Sequence, residues 1–162
     1  MDIVRVGIVS SVNAEKCRVR VTFDDRDNLV TAELPIVVRG AMKNKEYWMP
    51  DVGEQVLVLF LPNSNHEGFV LGALYNDEDV PPEKEKYMRT MRFEDGTTIR
   101  YNTKARALSV ECKGPITVRT DGNVTVIGDV IADGVSLKNH THIGVNGETS
   151  PPVRGEAVGE NR

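Results

Sequence analysis

Three histidines and two cysteines are the residues of this chain best suited to holding a metal or supplying a nucleophile. His66 lies in Asn63 to Gly68 (N-S-N-H-E-G), a loop composition, and reads as a solvated loop residue. Cys17 and Cys112 are far apart and have neither metal-type nor disulfide-framework spacing. His140-Thr141-His142 differs. In an extended segment, residues two apart share a side, about 6.5–7 Å apart along the strand. Two imidazoles on one face can converge on an ion, yet one pair does not complete a site. An enzyme built on this pair would need further ligands, a pocket and an acid or base. Asp133 and Glu148 are the nearby candidates, and both read as ordinary turn residues. Three chains meeting on one axis would instead bring together six imidazoles. Two stacked rings of three nitrogens form an octahedron, whereas zinc usually takes four ligands. Iron, nickel or cobalt would fit, and the spacing does not choose among them. A site saturated in this way has no open position for substrate and is structural, not catalytic.

The elements that must carry this pair are strands. The chain has 162 residues, is 40% hydrophobic and 27% charged, and has a formal charge of -4. It contains 23 Val and 8 Ile against only 6% aromatics, a balance that favours strands over helices. The longest run of large apolar residues, Val56 to Leu61, is far short of the ~20 residues of a membrane span. The opening Met-Asp-Ile-Val-Arg-Val has no apolar signal-peptide core, so synthesis in a cytoplasm is expected. The acidic balance argues against a nucleic-acid groove, which needs a positive field.

Residues 1–76 contain five strand candidates. Cys17 to Phe23 alternates strictly between polar and apolar residues, the pattern of a half-buried strand. Ile3 to Val9 holds Gly7, which predicts a bulge or a close approach. Leu29 to Val38 is interrupted by Pro35, and Arg39 to Pro50 could hold a turn or short helix. Gln55 to Leu61 reads as a strand buried on both faces, and Gly68 to Leu74 is the fifth. Five strands in this length predict a small OB-fold barrel. With no basic and aromatic stripe visible, the barrel reads as a docking platform. Residues 77–86, charged and containing Pro81-Pro82, read as a linker.

The rest of the chain handles burial differently. No Phe, Trp or Tyr follows Tyr101. Asp95-Gly96, Asp121-Gly122, Gly128-Asp129 and Asp133-Gly134 punctuate short runs rich in Val, Ile and Thr. One such copy cannot bury enough to offset the ordering entropy, roughly 1–2 kcal/mol per residue. Several identical chains wound about one axis can, as an intertwined β-helix or β-prism with edges paired between subunits.

Three stretches carry a resemblance to a known family. Trp48 to Phe60 (W-M-P-D-V-G-E-Q-V-L-V-L-F) resembles a barrel signature, and Gly68 to Asn76 (G-F-V-L-G-A-L-Y-N) the strand and exit that follow it. Gly134 to His142 (G-V-S-L-K-N-H-T-H) resembles a tip motif. All three are similar to the baseplate assembly protein V family, the central spikes of contractile-tailed bacteriophages. The resemblance implies an all-β homotrimer, with an N-terminal OB-fold barrel (1–76), a linker (77–86), a C-terminal β-helical spike (87–142) and a tail (143–162). It implies one iron ion per trimer, held by His140 and His142 of three chains. It also implies a non-enzymatic role: capping the tail tube, meeting baseplate hub and tube proteins, and piercing the bacterial envelope. Neither nucleic acid nor a small-molecule substrate is expected as a partner. The expected location is the virion's tail baseplate, after assembly in the host cytoplasm; related spikes occur in tailocins. The tail, Ile143 to Arg162 with Pro151-Pro152, must fold back or hang loose if the ion is to lead. A rival reading is an OB-fold nucleic-acid-binding module with a flexible tail, which predicts a monomer and salt-sensitive binding.

Overall fold

The computed structural model describes residues 3–27, 29–62, 67–145 and 147–152. Its first strands are β1 (Val4–Asn13), β2 (Arg18–Phe23), β3 (Leu29–Val30), β4 (Leu34–Pro35), β5 (Gln55–Phe60) and β6 (Gly68–Ala73). A single 3-10 turn, Asp24–Arg26, follows β2, and no α-helix occurs among the described residues. β1 pairs antiparallel with β2 on one side and β5 on the other, and β5 pairs with β6. β2 also pairs with β3 and β4. The ring closes where Ile36 bridges Val70 in parallel and the Val37 N–H donates to the Val70 carbonyl at 2.9 Å. Closure removes the sheet edges, the usual solution for a small all-β unit.

The alternation of β2 becomes its burial: Val19, Val21 and Phe23 point inward, while Arg18 and Arg20 point outward. The outward pair is used locally, since Arg18 donates to the Glu33 carbonyl and Arg20 to that of Thr31. Val9, Leu34, Val56, Val58, Phe60 and Val70 complete the interior. β-branched side chains suit it because they pack on a pleated surface at little rotamer cost. Phe23 and Phe60 meet at 5.9 Å between ring centroids, and the Arg5 guanidinium lies 4.8 Å over Phe23.

One expectation changes in detail, and two open alternatives are decided. β5 is not buried on both faces: Val56, Val58 and Phe60 are buried, but Leu57 and Leu59 are only half-buried, because alternate residues leave a barrel wall outward. Residues 39–50 hold no helix; Ala41 bridges Lys45, and Arg39 pairs with Glu46 across the loop. The bulge of β1 falls between Val9 and Ser11, whereas Gly7 is a close approach. A Cβ at Gly7 would lie 2.5 Å from Val21 Cγ1 and 2.7 Å from the Thr22 carbonyl oxygen. Backbone cannot yield as a side chain can. Gly7→Ala is therefore expected to destabilise the barrel by about 2–3 kcal/mol, the upper part of the overpacking range. Chemical denaturation of the variant checks this, and unchanged stability would show that β1 and β2 can separate freely.

A second sheet follows, of β7 (Met88–Arg92), β8 (Thr98–Asn102) and β9 (Ala107–Glu111). Its first turn is the Asp95-Gly96 hairpin, with Gly96 at φ 84° and Thr97 tied to Asp95 through both its N–H and its hydroxyl. The second turn lacks glycine. Arg106 takes the left-handed position at φ 55°, while Asn102 Oδ1 accepts from the Lys104 and Ala105 N–H groups. Trp48 packs on Phe93 at 5.9 Å between centroids.

The chain divides into two compact units, Met1–Lys113 and Gly114–Arg162. Among the described residues, the second holds only two-residue strands: β10 (Ile131–Ala132) with β11 (Val135–Ser136), and β12 (Ile143–Gly144) with β13 (Gly147–Glu148). The strand candidates Ile116 to Arg119 and Val124 to Ile127 have no ladder partner among the described residues.

Candidate metal centre

The chain approaches the histidine pair through a tight hairpin. Asp133 and Gly134, at φ 48° and 84°, make the two-residue turn that joins β10 to β11, the geometry an Asp-Gly step favours. Asp133 is thus a turn residue. A second turn at residues 137–139 delivers His140.

One carboxylate organises this second turn. Asp129 Oδ2 accepts from the Ser136 hydroxyl at 2.6 Å, and its Oδ1 accepts from the N–H groups of Val130 at 2.8 Å and Lys138 at 3.1 Å. The Ser136 hydroxyl, the N–H groups of Lys138 and Val130, and the Lys138 charge together hold the Asp129 carboxyl below the ordinary aspartate value, against desolvation. Ser136 passes the restraint on, its Oγ accepting from the Asn139 N–H at 2.9 Å and its carbonyl from the His140 N–H at 3.0 Å.

The same carbonyl orients the His140 ring. Nδ1 lies 2.9 Å from the Ser136 carbonyl oxygen and 3.1 Å from that of Leu137. Both neighbours only accept, so in the neutral imidazole Nδ1 carries the proton and Nε2 keeps its lone pair. This is the tautomer a metal-ligating histidine needs, with its second nitrogen donating to a carbonyl. The half-buried His140 meets the exposed His142 edge-on, 5.1 Å between ring centroids.

Beyond the pair the chain turns back. The His142 N–H donates to Thr149 Oγ1 and the Thr149 N–H to the His142 carbonyl, each at 2.9 Å. The Thr141 hydroxyl donates to Glu148 Oε1 at 2.9 Å, so Glu148 serves the returning hairpin. The first part of the tail therefore folds back on the histidines, while residues 153–162 lie outside the described residues.

Among the described residues, no group of three or more His, Cys, Asp or Glu side chains could hold a metal within one chain. The imidazole pair fits a transition ion in donor type, and His140 fits it in tautomer as well; one chain supplies only two nitrogens. Cys17, half-buried, and Cys112, exposed, are free thiols that take no part. His66 lies outside the described residues. The supporting residues Asp129, Ser136 and Thr149 are not evident as such from the sequence. The Gly128-Asp129 step signals a turn and nothing more, because its partners lie seven to nine positions on.

Comparison with known proteins adds two findings. Residues 5–75 match the family described as the type VI secretion system/phage-baseplate injector OB domain. The chain is 30% identical over 132 residues to the spike protein of Escherichia phage P2, an alignment covering 80% of this chain and 60% of that protein.

Proposed function

The chain belongs to the baseplate assembly protein V family, and from that membership we propose that it is the structural central spike of a contractile phage tail or tailocin. In this reading the chain is a homotrimer. Barrels formed by residues 1–76 cap the tail tube and meet baseplate hub and tube proteins. Residues 77–86 link them to a β-helical shaft over 87–142, which is driven into the bacterial envelope. The tail, 143–162, begins by folding back. His140 and His142 of each chain hold one iron ion per trimer, and the ion supplies a bond between three chain ends.

The observation that carries this reading is the exposure of the second unit. All eleven Val, Ile and Leu residues between 114 and 152 are exposed in the single chain, and Ile127 is 98% so. Covering a side chain of this kind gains about 1.5–3 kcal/mol. Among the described residues of one chain, the segments that hold Ile116, Val118, Val124 and Val126 lack ladder partners as well as cover. Neighbouring copies would supply both. Intertwined strands also suit a piercing tool, since no chain can peel away without breaking its pairing to two others. The free end is where fraying starts, and ligands from every chain pin it there.

Solution mass measured together with metal content tests the proposal. Three times 17.9 kDa with one transition-metal ion per three chains is expected. A stable folded monomer, or a trimer free of metal under metal-replete conditions, would overturn it.

A further inference from the structure

Resting on the reading of His140 as a metal ligand, we propose that Asp129 and Ser136 are positioning residues for its imidazole, setting both the tautomer and the aim of Nε2. Neither residue reaches the ring with its own side chain. Asp129 acts through the Ser136 hydroxyl at 2.6 Å and the Lys138 N–H at 3.1 Å, and so clamps the turn from both sides. Clamped, the turn presents the Ser136 carbonyl to Nδ1 at 2.9 Å. The Ser136 hydroxyl has two jobs: it donates to Asp129 and accepts from the Asn139 N–H, the residue just before His140.

The chemistry explains why a carboxylate stands here. Three donors converge on Asp129, two N–H groups and a hydroxyl, and only an ionised acid offers enough acceptor sites for all three. Charge-assisted bonds of this kind are about twice as strong as neutral ones. Among the described residues, His142 has no comparable device. Its hydrogen bonds are main-chain ones, to Thr149, and its exposed ring meets only that of His140 there. The two ligands are therefore unequal: His140 is preset, and His142 is free to adjust. Supporting residues of this kind change metal affinity by roughly 10–100-fold when replaced.

Full-length Asp129→Asn, Ser136→Ala and Ser136→Thr are compared with wild type and with His140→Ala. Iron affinity is measured at 25 °C by chelator competition on folded trimers, and the melting temperature is measured in the metal-free state. Imidazole ¹⁵N shifts of the metal-free protein report the His140 tautomer. Asp129→Asn and Ser136→Ala are expected to weaken iron binding by about tenfold or more and to mix the His140 tautomers. Ser136→Thr, which keeps the hydroxyl, should stay within about threefold of wild type, since the mechanism runs through that hydroxyl. Unchanged affinity with a lower metal-free melting temperature would overturn the proposal and leave a merely structural turn. The ligand assignment itself fails if His140→Ala binds iron as wild type does, so the two ideas are separable. Should Ser136→Ala not assemble, the paired Asp129→Asn and Ser136→Thr measurements decide: equal affinities overturn the proposal, and a tenfold gap supports it.

Discussion

The His140→Ala, His142→Ala double variant is expected to purify as a trimer without its transition metal. Both residues lie in a segment whose described contacts are short-range: β10 with β11, β12 with β13, and the Asp129 clamp. These contacts are local to the segment, so assembly through the shaft should survive the loss. What disappears is the coupling between chain ends. Structural metal sites contribute on the order of 10 kcal/mol to the fold they hold. The melting temperature of the C-terminal unit should fall by about 10 °C or more, with the barrel transition unmoved. Metal analysis and calorimetry read the two effects separately. A double variant that keeps stoichiometric metal would contradict the ligand assignment.

Val126→Asp should abolish the trimer. In the single chain Val126 is 55% exposed, so an aspartate there would cost an isolated protein almost nothing. In the proposed shaft the outcome reverses. Val124 and Val126 share one side of an extended segment, and Asn123 and Thr125 take the other. If the valine side faces the common interior, three carboxylates meet on the axis, each with a desolvation cost of several kcal/mol and no partner. Thr125→Asp, on the opposite side, should leave the oligomer intact. Light scattering on the pair measures the difference. Equal behaviour of the two variants would mean that the shaft does not bury the valines.

Much of the barrel could be read from residues alone, because alternation is a local property. Cys17 to Phe23 announces one buried face, and β2 buries Val19, Val21 and Phe23. The Asp95-Gly96 and Asp133-Gly134 steps announce hairpins, and both turns form with a glycine at positive φ. The turn before β9 is silent in the sequence for the same reason in reverse: its left-handed position belongs to Arg106, which carries no turn signal. The nearness of the two imidazoles at i and i+2 is equally local, and their rings meet at 5.1 Å between centroids.

By itself, then, the amino-acid order determined the all-β character, the five segments that supply the barrel's strands (Leu29 to Val38 giving both β3 and β4), the tight turns and the two-residue spacing of His140 and His142. Tertiary structure alone decided the rest. Ile36 closes the barrel on Val70, Gly7 sits against the Thr22 carbonyl, and the Ser136 carbonyl chooses which His140 nitrogen keeps its lone pair. The physical reason is range. Side-chain alternation and turn preference are written within a few neighbouring residues, whereas ring closure, close approach and ring orientation depend on which parts of the chain the fold brings together.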